Sequence, residues 1–217
     1  MSKNRTENFK PRDKGADISA AAAALKRGEV IVYPTETLYG LGADALNEAA
    51  VDRVLSLKGR DPDNPIPVLV ADRAMLADLV AEVPPLAQQL IARFWPGPLT
   101  IVFPARKDIP RALLNRTGGI GVRISSQPIA VELVKSLGRP ITATSANPSG
   151  KAPARTVEEA KKYFAARIET YIDGGRLGSK TGSTVAQVTG DTVTVIRAGE
   201  IGKSELERVA GKDKVLP

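Results

Sequence analysis

Apolar and polar residues come in blocks along this chain, and the blocks switch between helical and extended spacing. Ile18 to Lys26 is alanine-rich and favours a helix, with Gly28 as its C-cap. Val30 to Tyr33 is a continuous apolar run and reads as a buried strand. Asn47 stands as N-cap before Val51, Val54 and Leu55, which recur at helical spacing. Ile66 to Val70 predicts another strand, with Pro67 suited to a strand start or an edge. Helices are predicted over Arg73 to Val80 and Pro85 to Phe94, followed by a turn at Trp95-Pro96-Gly97-Pro98. Leu99 to Phe103 and Ile120 to Ile124 read as strands, and Ile129, Leu133, Val134 and Leu137 mark one helix face.

Pro140 to Thr144 is a further strand, leading into Ser145-Ala146-Asn147. Thr156 with Glu159 predicts a capping box, and so does Ser204 with Glu207 on a last short helix. Thr170 to Ile172 is a short strand, while Ser183 to Val188 and Thr192 to Ile196 pair as a hairpin around Gly190-Asp191. Strands and helices alternate throughout, so the fold class is α/β. Residues 1–16 are expected to form a polar N-terminal arm and residues 17–217 a single domain. There is no internal repeat and no low-complexity tract.

Composition narrows the chemistry. Apolar residues make up 42% of the 217 residues, enough for a sizeable core. With one Trp, four Tyr and four Phe, that core is built from aliphatic side chains. No apolar run approaches the roughly 20 residues that span a bilayer. The N-terminus lacks the apolar segment of a secretory signal, so a cytoplasmic protein without a membrane partner is expected. The chain contains no cysteine and no histidine. That excludes disulfides, cysteine nucleophiles, Cys/His zinc sites and Ser-His-Asp hydrolysis. Hydroxyls, carboxylates, amides and cations are left, a set suited to phosphates and carboxylates. The net charge of +7 favours anionic partners such as nucleotides or RNA, and equally fits a basic protein with no polyanion partner.

Three segments concentrate polar groups next to apolar runs. Tyr33-Pro34-Thr35-Glu36-Thr37-Leu38-Tyr39-Gly40-Leu41-Gly42 places hydroxyls and bare backbone directly after a strand, where a ligand can approach. Lys58-Gly59-Arg60 follows a helix; the two cations either grip an anion or sit solvated at the helix C-terminus. Thr144-Ser145-Ala146-Asn147-Pro148-Ser149-Gly150 ends a strand with a hydroxyl and an amide, either in a plain turn or at a ligand. Arg123 and Arg197 each interrupt an apolar strand, and a buried cation there needs a partner. Gly178-Ser179-Lys180-Thr181-Gly182 fails the phosphate-loop spacing and reads as a flexible basic loop.

Together these segments resemble the YrdC-like family, the threonylcarbamoyl-AMP synthases, over about Ala20 to Gly199. The resemblance implies a single-domain twisted mixed sheet flanked by helices. It implies condensation of L-threonine, bicarbonate and ATP to threonylcarbamoyl-AMP and pyrophosphate, with Mg2+ carried by ATP and no metal held by the protein. A partner transferase machinery would then modify tRNA, with direct tRNA or RNA binding an open possibility. Carried over residue by residue, Lys58, Arg60, Ser145 and Asn147 are catalytic. Arg60, Asn64, Ser145 and Arg197 bind ATP, and Thr37, Arg123 and Ser183 bind threonine.

Three positions depart from the family pattern: Leu69 and Gln127, where histidines are frequent, and Gln187, where aspartate is usual. A carbamoyl-phosphate-using relative and a non-catalytic RNA-binding module are the alternatives. The first carries Cys-rich zinc modules that a cysteine-free chain lacks. Longer family members have an added C-terminal domain, which is expected to be absent because the chain ends soon after Gly199.

Overall fold

In a computed structural model, residues 14–59 and 64–216 are described. Helix α1 (Lys14–Lys26) starts within the segment expected to be an arm, and residues 1–13 lie outside the described residues. Gly28 (φ 79°) ends the α1 turn, donating its N–H to Leu25 O at 2.9 Å. The alanines of α1 bury Ala21, Ala24 and Leu25 against α5 (Pro128–Leu137), which contributes Ala130, Leu133, Val134 and Leu137. Helix α2 (Glu48–Lys58) begins at Asn47, whose side chain accepts from Ala50 N–H. Helices α3 (Arg73–Leu79) and α4 (Pro85–Phe94) follow the predicted ranges closely.

The strands divide between two mixed sheets. The first holds β1 (Ile31–Pro34) between β2 (Tyr39–Gly42), antiparallel, and β8 (Thr170–Tyr171), parallel; β7 (Thr144–Ser145) pairs outside β2. The second is centred on β4 (Leu99–Pro104), antiparallel to β5 (Gly119–Arg123) and parallel to β9 (Thr184–Thr189). Beyond β5 lie β3 (Val68–Leu69) and β6 (Ile141–Thr142); beyond β9 lie β10 (Thr192–Arg197) and β11 (Val215–Leu216). The α/β class and the helix-flanked mixed pairing are as expected. Pro67 stands just ahead of β3, which is an interior strand, so its missing donor falls at the strand start.

Four local readings change. The Tyr-Gly-x-Gly segment is strand β2 rather than open backbone, and its glycines make room for a side chain. A Cβ on Gly40 or Gly42 would stand 3.1 or 2.9 Å from the ring of Tyr33. That ring is fully buried, and its hydroxyl donates to Thr142 O at 2.9 Å. The predicted strand from Pro140 to Thr144 is two strands in different sheets. The chain crosses over at Ala143, whose N–H donates to Pro67 O at 2.7 Å.

The cap of α6 (Val157–Phe164) is half a box: Thr156 Oγ1 accepts from Glu159 N–H, but the Glu159 carboxylate reaches Arg155 N–H instead. Helix α7 (Lys203–Ala210) is capped at Gly202, two residues before the predicted Ser204, with Glu205 accepting from Gly202 N–H at 3.0 Å. A backbone cap needs no side chain at Gly202, so the Ser/Glu spacing misplaced it.

Candidate active site

The turn from β1 to β2 is built around one hydroxyl. Thr35 Oγ1 accepts from the N–H groups of Thr37 and Leu38, each at 3.2 Å, and donates to Leu38 O at 2.7 Å. This fixes Thr37, whose own hydroxyl lies 3.0 Å from that of Thr35. Across from the turn, β7 pairs with β2 so that Ser145 faces Gly40. From the other sheet come Arg123 at the end of β5 and Ser183 just before β9. Arg197 ends β10 beyond a register shift between Val195 and Arg197. Such a bulge re-aims the side chain that follows it.

Thr37, Arg123, Ser145, Ser183 and Arg197 therefore line one cavity of about 150 Å³ between the two sheets. Thr37, Arg123 and Ser183 are buried there. Lys58, the last residue of α2, is 4% exposed and sits behind Ser145. Its Nζ donates to Ser145 O at 2.7 Å and lies 3.4 Å from both Ser145 Oγ and Asn147 Oδ1. The Ser149 N–H returns to Lys58 O at 2.7 Å, and Asn147 Nδ2 donates to Lys151 O at 2.7 Å, so the loop after β7 is closed on the helix end. Asn64 lines an adjacent cavity of about 370 Å³, which shares Arg197 and Pro67 with the first. Arg60 lies outside the described residues. A larger groove of about 1000 Å³, beside Met75, Lys107 and Arg139, holds none of the predicted site residues.

The electrostatics favour an anion. Arg197 is exposed as a residue, but its Nη2 donates to Ser183 O at 3.0 Å and Ser183 Oγ at 3.2 Å. Burial of that end, and then the charge of Arg123, push its pKa below the ordinary arginine value, and it remains a cation. Among the described residues no acidic side chain lines the cavity. Glu36, behind it, pairs with Arg123 and accepts from Ser125 Oγ. Among the described residues no three His, Cys, Asp or Glu side chains form a group that could hold a metal.

Sequence reasoning missed Glu36, Ser125 and Thr100. Glu36 was visible as the one charge inside Pro-Thr-x-Thr. Ser125 stands two residues from Arg123. Thr100, which lies 3.0 Å from Ser183 Oγ, sits in an apolar strand and carried no signal. The loop read as flexible, Gly178 to Gly182, is held by Glu200, which accepts from Ser179 Oγ at 2.5 Å and Thr181 Oγ1 at 2.9 Å. Leu69 lies in register with Arg123, Gln127 precedes α5 and Gln187 is on β9. None of the three lines either cavity.

The fold and pocket thus define an α/β protein with a basic, hydroxyl-lined cavity between two mixed sheets. The chain belongs to the Sua5/YciO/YrdC family, described as "Telomere recombination", whose pattern matches residues 23–199. It is 38% identical over 210 residues to the threonylcarbamoyl-AMP synthase of Pyrococcus abyssi, covering 97% of this chain and 62% of that protein. It is 36% identical to the putative threonylcarbamoyl-AMP synthase of Mycobacterium tuberculosis, covering 96% of this chain and 97% of that one. The crystal structure of P. abyssi Sua5 complexed with L-threonine superposes with a TM-score of 0.89 at 37% identity, covering 96% of this chain and 61% of that one. The chain thus spans less than two thirds of the Pyrococcus protein.

Proposed function

We propose that this chain is an L-threonylcarbamoyladenylate synthase, a nucleotidyltransferase that joins L-threonine, bicarbonate and ATP and releases pyrophosphate. The observation that carries this reading is the convergence of Thr37, Arg123, Ser145, Ser183 and Arg197 on one cavity with Lys58 behind Ser145. The family membership and the threonine complex of the Pyrococcus relative support it.

In this reading the threonine amine attacks the carbon of bicarbonate, or of CO2 formed from it; the C–O bond to one bicarbonate oxygen breaks, that oxygen leaves as water with the amine proton, and a carbamate is formed. A carbamate oxygen then attacks the α-phosphorus, and the bond to the bridging oxygen of pyrophosphate breaks. Carbamates are short-lived in water, so a buried pocket that keeps the reactants together gains by proximity and water exclusion. Arg123, Thr37 and Ser183 hold threonine. Ser145, Asn147, Asn64 and Arg197 fix the nucleotide. Lys58, with Arg60, neutralises charge that builds on the phosphates as pyrophosphate leaves.

Magnesium belongs to the ATP substrate and keeps most of its waters. The product would pass to a transferase that modifies tRNA in the cytoplasm, where ATP and tRNA are available. Among the described residues no helix is long and apolar enough to cross a membrane, and no membrane partner enters the reading.

Mass spectrometry of a reaction with isotope-labelled bicarbonate, L-threonine and Mg-ATP tests the reading. A labelled threonylcarbamoyl-AMP is expected. AMP formed without any labelled adduct would contradict it.

A further inference from the structure

Arg123, which lines the pocket, carries a buried donor that the fold leaves unanswered. Arg123 is 4% exposed and lines the cavity, yet its Nε has no acceptor among the described residues. Its Nη1 donates to Glu36, and Ser125 Oγ donates to the other carboxylate oxygen of Glu36. Ser125 Oγ in turn accepts from Gln127 N–H at 3.1 Å, which ties the relay to the backbone ahead of α5. The Glu36 side chain is 14% exposed and does not line the cavity. Its carboxylate therefore grips the guanidinium from behind, and the pair joins the β1–β2 turn of one sheet to the β5 end of the other.

A guanidinium is a planar fork whose Nε–Nη2 edge accepts a carboxylate side-on, in two parallel hydrogen bonds. With Glu36 on Nη1, the Nε edge is the one left for a ligand. We infer that Glu36 is a positioning residue that aims this edge of Arg123 at the carboxylate of the amino-acid substrate, and that Ser125 fixes Glu36 in that role. The inference rests on the reading that the pocket takes L-threonine. It differs from competition: Glu36 and the substrate carboxylate occupy different edges of one guanidinium and are bound together. It also makes a planar carboxylate the feature that the amino-acid site selects, since an amide or alcohol in its place supplies no charge to the free edge.

Calorimetric binding of L-threonine, L-threoninamide and a non-hydrolysable ATP analogue to the full chain tests this. Glu36→Gln is expected to weaken L-threonine about tenfold or more. It should leave the nucleotide within about twofold and shrink the preference for L-threonine over L-threoninamide. Ser125→Ala is expected to move the same ratio in the same direction by less, and carries the test if Glu36→Gln fails to fold. Glu36→Asp, which keeps the charge, is expected to restore part of the preference.

Unchanged or tighter threonine binding in the folded Glu36→Gln protein would overturn the inference, the tighter case marking Glu36 as a competitor. Equal losses for threonine and nucleotide would overturn it too, marking a merely structural pair. No L-threonine binding by the unaltered protein would instead overturn the reading on which it rests.

Discussion

Lys58 Nζ donates to the main-chain carbonyl of Ser145 at 2.7 Å, joining residues 87 apart in sequence. The bond ties the end of α2 to β7 and holds a buried ammonium at the back of the pocket. If that charge stabilises the departing pyrophosphate, Lys58→Ala lowers kcat by about 10²-fold or more. Ser145 O keeps its bond from Asn147 N–H at 2.9 Å, so the loss is that of one charged hydrogen bond, about 1.5–3 kcal/mol, and melting falls by a few degrees for each kcal/mol lost in a chain of this size. Arg60→Ala is expected to lose most turnover as well. Steady-state kinetics beside a thermal melt read both effects; near-unaltered turnover in the two folded variants would sink these roles.

Arg197 lines both cavities, whereas Ser183 lines only the first. Arg197→Ala is therefore expected to raise KM for threonine and for ATP together. Ser183→Ala should raise KM for threonine by about five- to tenfold, the worth of one hydrogen bond or slightly more, with KM for ATP nearly unchanged. Separate titrations of the two substrates check this split, and a shift in ATP alone for Ser183→Ala would contradict the assignment.

Gly199 is packed on the backbone that carries Ser183. A Cβ there would stand 2.4 Å from Ser183 C and Thr184 N. Gly199→Ala must push the start of β9 outward, at a cost of about 1–3 kcal/mol, and displaces Ser183, the proposed threonine contact, with it. A lowered melting temperature together with a raised KM for threonine is expected. Gly178→Ala is the control, since nothing lies within 4 Å of its added Cβ. Equal melting of the two variants would contradict this packing.

Alkaline pH is expected to unfold the protein through its buried tyrosines. Burial pushes Tyr39 from its ordinary 10.0 up to about 12, and burial raises Tyr33 and Tyr171 as well. Their folded pKa values lie above the unfolded ones, so this contribution is whole below pH 10 and is lost as pH rises toward 12. Urea unfolding across that range, with phenolate absorbance as a second signal, should show stability falling as pH increases. Stability that stays flat while phenolate appears in the folded protein would contradict it.

Much of this architecture was legible because its signals are local. The amphipathic spacing of Leu86, Leu90, Ile91 and Phe94 marks α4, and Asn47 marks the start of α2. Five of the nine predicted site residues meet in one cavity, and Lys58 and Asn147 stand against its wall, because their motifs end strands or helices. What escaped depends on distant partners. Gly40 and Gly42 hide β2 by having no side chain to show a period of two, and their reason is the Tyr33 ring. Ala143 conceals a crossing between sheets that only the pairing of Thr142 and Thr144 reveals. Glu36 and Arg123 are likewise 87 residues apart, so their pairing is a property of the folded chain alone.

Pyrophosphate release by the purified full chain, with and without L-threonine and bicarbonate, separates a synthase from a binding module. Release from Mg-ATP is expected only when both are present, with L-serine and L-alanine weak in place of L-threonine. Release that ignores threonine and bicarbonate, or no release beside clear binding of ATP or tRNA, would contradict the synthase reading.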